Sequence, residues 1–342
     1  MSQQMEARTS GQAAGLQDIA EKLQEAVSTC ILGKDQVIRE LVAAVLAGGH
    51  VLLEDLPGTG KTTLAKALAK AVDGQFRRIQ FTPDLLPSEL TGINYFNQKT
   101  QNFEFRPGAL FTNILLGDEI NRATPRTQSS LLECMEERQV TVDGVTYKLE
   151  APFLVLATQN PVEIQGTFPL PEAQLDRFLM RLTLGYPAES AEAEMLRTYR
   201  QAQPLESLEP VISGAELVTA MRQVREIPVS AAVRDYIVQL TAATRTHSNV
   251  RLGVSPRGSL ALQHAAQAFA AMDGESYVLP DHVQQAVLPV LPHRMLLRGT
   301  GVERQSDTVT EILQEILEAT AVPTEAAEEG SGSGRTDLRS AQ

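Results

Sequence analysis

Cysteine is nearly missing from this 342-residue chain: there are two, Cys30 and Cys134, far apart in helix-like stretches. That excludes a disulfide framework and a cysteine-based metal site, and it fits a reducing cytoplasm. Histidine is scarce too. Residues 50, 247, 264, 282 and 293 fall at no metal-ligand spacing, so core or surface positions are expected for all five. No dense Lys/Arg run occurs, and 42 acidic against 30 basic residues leave a net charge of -12. A nucleic-acid backbone is therefore disfavoured as the main partner. No uninterrupted apolar run approaches the length of a membrane span, and the polar stretch Met1 to Gly15 lacks the apolar centre of a signal peptide. A soluble intracellular protein is expected.

What is present begins with Val51-Leu-Leu-Glu-Asp-Leu-Pro-Gly-Thr-Gly-Lys61-Thr62-Thr63, an apolar strand turning through glycines into a helix that starts at a lysine. It reads as a phosphate-binding loop. Backbone N–H groups of Gly58, Thr59, Gly60 and Lys61 converge on phosphates in such a loop, assisted by the positive end of the helix from Lys61 to about Val72. The Lys61 ammonium reaches the outer phosphates, the Thr62 hydroxyl ligates Mg²⁺, and Thr63 completes the nucleotide-binding run. Asp55 stands where the usual pattern has a glycine, but the flanking strand and helix supply the context the motif needs.

The chain in order reads as follows. A mobile tail is expected over residues 1–15, then a helix to Cys30 carrying Leu16, Ile19, Leu23 and Val27 at helical spacing. A second helix runs to Leu46; the segment between, Ile31 to Gln36, suits an adenine contact or plain core equally. Seven of the sixteen aromatic residues fall between Phe76 and Phe111. Within that stretch Ile93 to Tyr95 and Phe103 to Phe105 alternate around a polar turn, as in a small hairpin. A local mini-core and an exposed partner surface are evenly matched readings of it.

Asn113 to Glu119 is a strand ending in two carboxylates, where an open α/β sheet puts its chemistry. Beside the phosphate loop, Asp118 is the expected partner of Thr62 on Mg²⁺, and Glu119 the group that orients the attacking water. Asp143-Gly144 marks a tight hairpin turn. Phe153 to Pro161 is a buried strand whose Asn160 suits either a turn or a phosphate contact. Beyond Pro187 the pattern becomes helical, with segments 190–201, 214–225, 230–246, 256–272, 280–291 and 305–319. In Ser255-Pro256-Arg257, serine caps, proline takes the first helical position, and an arginine in the first turn calls for a nearby anion. Residues 322–342 have the composition of a disordered tail.

With these motifs in order, the chain closely resembles the MoxR family of AAA+ ATPases from about Gly15 to Glu318. The likeness rests on Glu54 to Thr62, Leu116 to Ala123, Ala157 to Pro161, Gly166 to Phe178 and Gly253 to Arg257. It implies an α/β fold, an αβα P-loop core over residues 16–187 with a smaller all-α lid over 188–320, between a 1–15 tail and a 321–342 tail. It implies ATP and Mg²⁺ bound at the subunit boundaries of a ring, usually a hexamer. By that likeness Asn160 matches the first sensor, Arg257 the second sensor, and Arg177 the arginine finger that reaches a neighbour's ATP. Arg122 and Arg126 are further residues toward that boundary, and the aromatic segment Tyr95 to Phe105 matches the clade's insertion. Family members act as chaperone-like motors on client proteins, often with von Willebrand factor A domain partners, or in metal-cofactor insertion. The alternatives are a P-loop kinase acting as a monomer and a nucleic-acid-stimulated ring ATPase.

Overall fold

Short strand segments of three to six residues, most of them apolar and spaced by helical stretches, pair as a parallel sheet. The computed structural model describes residues 2–54, 58–159, 166–201, 203–299 and 305–323. Its helices are α1 (Ser2–Ser28), α2 (Asp35–Leu46), α3 (Lys61–Ala71), α4 (Pro87–Thr91), α5 (Pro125–Glu137), α6 (Glu172–Leu175), α7 (Glu189–Gln201), α8 (Pro204–Ser207), α9 (Gly214–Glu226), α10 (Ala231–Thr246), α11 (Pro256–Met272), α12 (Pro280–Val290) and α13 (Gln305–Ala319). Strands are β1 (Val51–Glu54), β2 (Phe76–Gln80), β3 (Gly92–Asn97), β4 (Asn102–Pro107), β5 (Ile114–Asp118), β6 (Gln139–Val142), β7 (Val145–Lys148), β8 (Leu154–Gln159), β9 (Met180–Leu182), β10 (Val250–Leu252) and β11 (Leu296–Leu297). Asn160, Asp55 and nearly all of the expected C-terminal tail lie outside the described residues.

The central sheet is parallel in the order β2-β5-β8-β1-β9. Period-2 alternation sorts its side chains onto two faces. Val51, Leu53, Ile114, Leu116, Leu154 and Leu156 enter the core shared with α1, α2, α3 and the later helices. Leu52, Leu115, Val155 and Ala157 enter a second core with Leu131, Leu132 and Phe178. The helical half thus shares a core with one face of the sheet. Helix α1 differs from the expected tail: it begins at Ser2 and packs against α2, α3, α9 and α11. Burying Leu16, Leu23 and Val27 there anchors the helix, and no proline interrupts the sequence back to Ser2.

The aromatic segment divides into a packed part and an exposed part. Phe105 stacks on Tyr147 of the β6–β7 hairpin at 4.0 Å and meets Phe111 edge-on. Phe96 and Phe103, paired edge to face at 5.4 Å, remain exposed with Ile93 and Tyr95. Among the described residues no helix is long and apolar enough to cross a membrane.

His50, just before β1, is buried and makes two hydrogen bonds that require its neutral form: Nδ1 accepts from the Val155 N–H at 3.0 Å and Nε2–H donates to the Met135 carbonyl at 3.0 Å. Burial pushes its pKa down from 6.5 to about 4. The folded chain therefore refuses a proton that the unfolded chain accepts, so stability is full above pH 6.5 and is lost as pH falls toward 4. Across that window roughly 3 kcal/mol is expected to disappear. Urea unfolding from about pH 7.5 down to about pH 5 checks this: His50→Gln should show a shallower decline than wild type, and equal declines would assign the loss to other groups.

Candidate functional site

The phosphate-loop geometry follows from two glycines. Gly58 and Gly60 have φ of 85° and 95°, left-handed values that an L side chain resists. Gly60 then caps α3 without a side-chain cap hydrogen bond of its own, at a helix N-terminus of the kind that receives an anion. Two cavities meet at these glycines. One, about 370 Å³, is walled by Lys61, Thr62, Arg78, Gln80, Asp118, Glu119, Thr158 and Gln159. The other, about 550 Å³ and more apolar, runs along Thr59 and Thr63 to Cys30, Ile31, Tyr186 and Leu196. All six loop residues expected to bind nucleotide line this crevice, and Ile31 lies on its apolar side.

The acidic wall is built by register. Parallel pairing sets Gln80 opposite Asp118 and Gly117 opposite Ala157, so the carboxyl ends of β2, β5 and β8 converge. Asp118 is 6% exposed and accepts from Arg78 Nε at 2.5 Å and from the Thr158 hydroxyl at 3.3 Å. The Glu119 N–H donates to the same Thr158 oxygen at 2.9 Å, which ties the two acids to β8. Glu119 itself sits at φ 57°, a strained conformation for a non-glycine residue and one that concentrates at functional sites. Its carboxylate takes Gln80 Nε2 at 2.6 Å and Arg122 Nε at 3.1 Å. Thr62 and Asp118 thus offer one hydroxyl and one carboxylate to a shared cleft. That sparse oxygen set suits Mg²⁺, which keeps waters and completes its shell with substrate phosphates. No group of three or more His, Cys, Asp or Glu that could hold a metal occurs among the described residues.

Arg257, expected near phosphate, and Arg177, expected to reach a neighbour's nucleotide, both stand outside these cavities. Arg177 Nε is 3.1 Å from Glu136 Oε2, and Arg257 Nη2 is 2.7 Å from Glu136 Oε1. Neither lines either cavity. The anion that justifies an arginine in the first turn of α11 is, within the chain, Glu136 near the end of α5. A buried network pins both backbones. The Asp176 carboxylate accepts from Arg294 Nε at 2.7 Å and from the Ser255 hydroxyl at 2.9 Å, while Ser255 also caps α11 by accepting from the Gly258 N–H. Arg294 further donates to the carbonyls of Val290, Phe178 and Leu179. Arg126 borders a separate groove of about 520 Å³ beside the β3–β4 hairpin.

Sequence reasoning missed Arg78, Gln80, Thr158 and Glu136. Arg78 and Gln80 are two apart on β2 and so share a face, a visible signal, but nothing local named β5 as their neighbour.

Comparison with known proteins places these elements in context. Residues 50–180 match the ATPase family associated with various cellular activities (AAA), and residues 242–316 match the AAA lid domain. The uncharacterized protein YeaC of Bacillus subtilis is 49% identical over 306 residues, covering 88% of this chain and 94% of that protein. Chaperone MoxR1 of Mycobacterium tuberculosis is 38% identical, covering 87% and 80%. A crystal structure from Cytophaga hutchinsonii superposes with a TM-score of 0.85 at 35% identity, covering 95% of this chain and 100% of that one.

Proposed function

The chain belongs to the MoxR family of AAA+ ATPases, and from that premise we propose that it hydrolyses ATP at the subunit boundaries of a ring, most simply a hexamer, to remodel or activate partner proteins. One observation carries the reading. The cleft holds Lys61, Thr62, Asp118 and Glu119, whereas Arg177 and Arg257 stand together outside it on Glu136. A phosphoryl-transfer site needs cations around the transferred group, and two arginines standing outside this cleft support the reading that they serve another subunit's nucleotide.

In this scheme the loop amides and Lys61 hold the phosphates, and the apolar side of the crevice near Ile31 takes the base. Thr62 and Asp118 hold Mg²⁺, which neutralises charge on the phosphates when bound. Glu119, fixed by Gln80 and Arg122, orients and polarises the attacking water. Asn160 contributes a polar contact to the outer phosphate. Arg177, and Arg257 beside it, complete the neighbour's site. This changes the role of Arg257: being held to the same carboxylate as Arg177, it reaches phosphate from the same side.

Exposed Ile93, Tyr95, Phe96 and Phe103 on the β3–β4 hairpin supply an apolar contact for a client. A protein with a von Willebrand factor A domain fits as partner, and metal-cofactor insertion as one task, in a cytoplasmic setting. A site shared between subunits makes turnover concentration-dependent. ATP hydrolysed per subunit should climb with protein concentration in step with the assembled fraction seen by sedimentation. Constant specific activity over a wide range would mean that one chain holds the whole site.

A further inference from the structure

We propose that Glu136 is a positioning residue for ATP hydrolysis, holding Arg177 and Arg257 as one two-arginine unit that is presented to the neighbouring subunit's nucleotide. The inference rests on the shared-site reading above. Its geometry is a single carboxylate with one guanidinium on each oxygen: Arg177 on Oε2 at 3.1 Å and Arg257 on Oε1 at 2.7 Å. Two like charges this close repel, and the carboxylate between them cancels that repulsion. The corner still carries a net positive charge of one, so it attracts polyphosphate.

Three features separate this arrangement from an ordinary surface ion pair. First, the backbones on either side are locked together, because Asp176, next to Arg177, bonds both Ser255, which caps the helix of Arg257, and the buried Arg294. The only freedom left to the arginines is in their side chains, and Glu136 restricts it. Second, Arg177 Nε is buried yet out of line for a hydrogen bond to Glu136 and has no other partner among the described residues. A buried donor without an acceptor is unfavourable, so the guanidinium is left in want of an anion that Glu136 does not fully replace. Third, the three side chains are 28%, 39% and 44% exposed, a range in which solvent screening leaves ion pairs weak. Such bonds orient the guanidiniums, yet a triphosphate carrying several charges displaces them readily.

Steady-state ATP kinetics of wild type, Glu136→Gln, Glu136→Asp and Arg177→Ala, at concentrations where wild type is assembled, tests the proposal. Glu136→Gln keeps the shape and removes the charge, so kcat should fall by about tenfold, misorientation of a catalytic group being costly at small displacements. KM for ATP should stay within about twofold, because each subunit's own cleft is untouched. Sedimentation and melting temperature should match wild type, which a merely structural role would not allow. Glu136→Asp, with its charge kept but drawn back, should fall between. In an Arg257→Ala background the Glu136→Gln effect should shrink, since one of its two partners is gone. If Arg177→Ala collapses turnover while both Glu136 variants equal wild type, the positioning role is overturned and the shared site stands. If Arg177→Ala is itself without effect, the shared site falls and this inference with it. A rise in kcat, or loss of assembly in both Glu136 variants, would make Glu136 a competitor or an interface residue and overturn the proposal.

Discussion

Arg177→Ala is expected to hydrolyse ATP on the order of 10³-fold more slowly than wild type while still binding nucleotide and still assembling. The size follows from where Arg177 stands. It is not part of the cleft that holds Lys61, Thr62 and Asp118, so its loss should leave nucleotide affinity nearly unchanged. Among the described residues it is also only weakly engaged at home: its ion pair to Glu136 is partly exposed and imperfectly aligned. Truncating it therefore removes little folding stability. What it removes is a cation that the transition state needs and the ground state hardly uses, and such a loss appears in kcat. Turnover, nucleotide titration and sedimentation on the same preparation check this. Rates within about threefold of wild type would show that one chain's residues suffice, and the kinase-like reading would move ahead.

Glu119→Gln should lower kcat by about 10²- to 10³-fold with ATP affinity equal or tighter. The substitution is nearly isosteric, and Glu119 is held by a backbone bond to Thr158 as well as by its side-chain contacts to Gln80 and Arg122. The left-handed turn at residue 119 and the Asp118 carboxylate therefore stay in place. What changes is basicity: the amide can accept a hydrogen bond from water but cannot draw its proton. Removing a negative charge from beside the phosphates also relieves repulsion, hence the unchanged or improved affinity. The variant should accumulate in an ATP-bound ring, measurable by single-turnover kinetics beside equilibrium nucleotide binding. Unimpaired single-turnover rates would assign the base to another group.

Much of the site could be read from the chain because its parts are contiguous. The phosphate loop needs two glycines at left-handed positions between a strand and a helix, and Gly58 and Gly60 meet that need within a dozen residues. Asp118 and Glu119 end an apolar strand, and Ser255-Pro256-Arg257 begins a helix with the cap expected of it. The exposed half of the aromatic hairpin was equally open to either reading, because alternation tells which residues share a face but not which face is covered. Phe105 found Tyr147 across the fold, and Phe103 found only Phe96.

The sequence by itself determined most of the strands and helices, the phosphate loop and the two carboxylates, since each depends on dihedral preference and periodicity over a few neighbouring residues; the short β10–β11 pair, inside the part expected to be all-α, was not among them. Only the tertiary structure decided that α1 extends to Ser2, that Arg78 and Gln80 of the edge strand stand beside Asp118 and Glu119, and that Glu136 gathers Arg177 and Arg257. The reason is distance along the chain. Arg78 and Asp118 are 40 residues apart and Glu136 and Arg257 are 121 apart, so no local pattern links them. They meet because burying both faces of a parallel sheet fixes one strand order and packs the later helices against it, and that choice is made by the whole core at once.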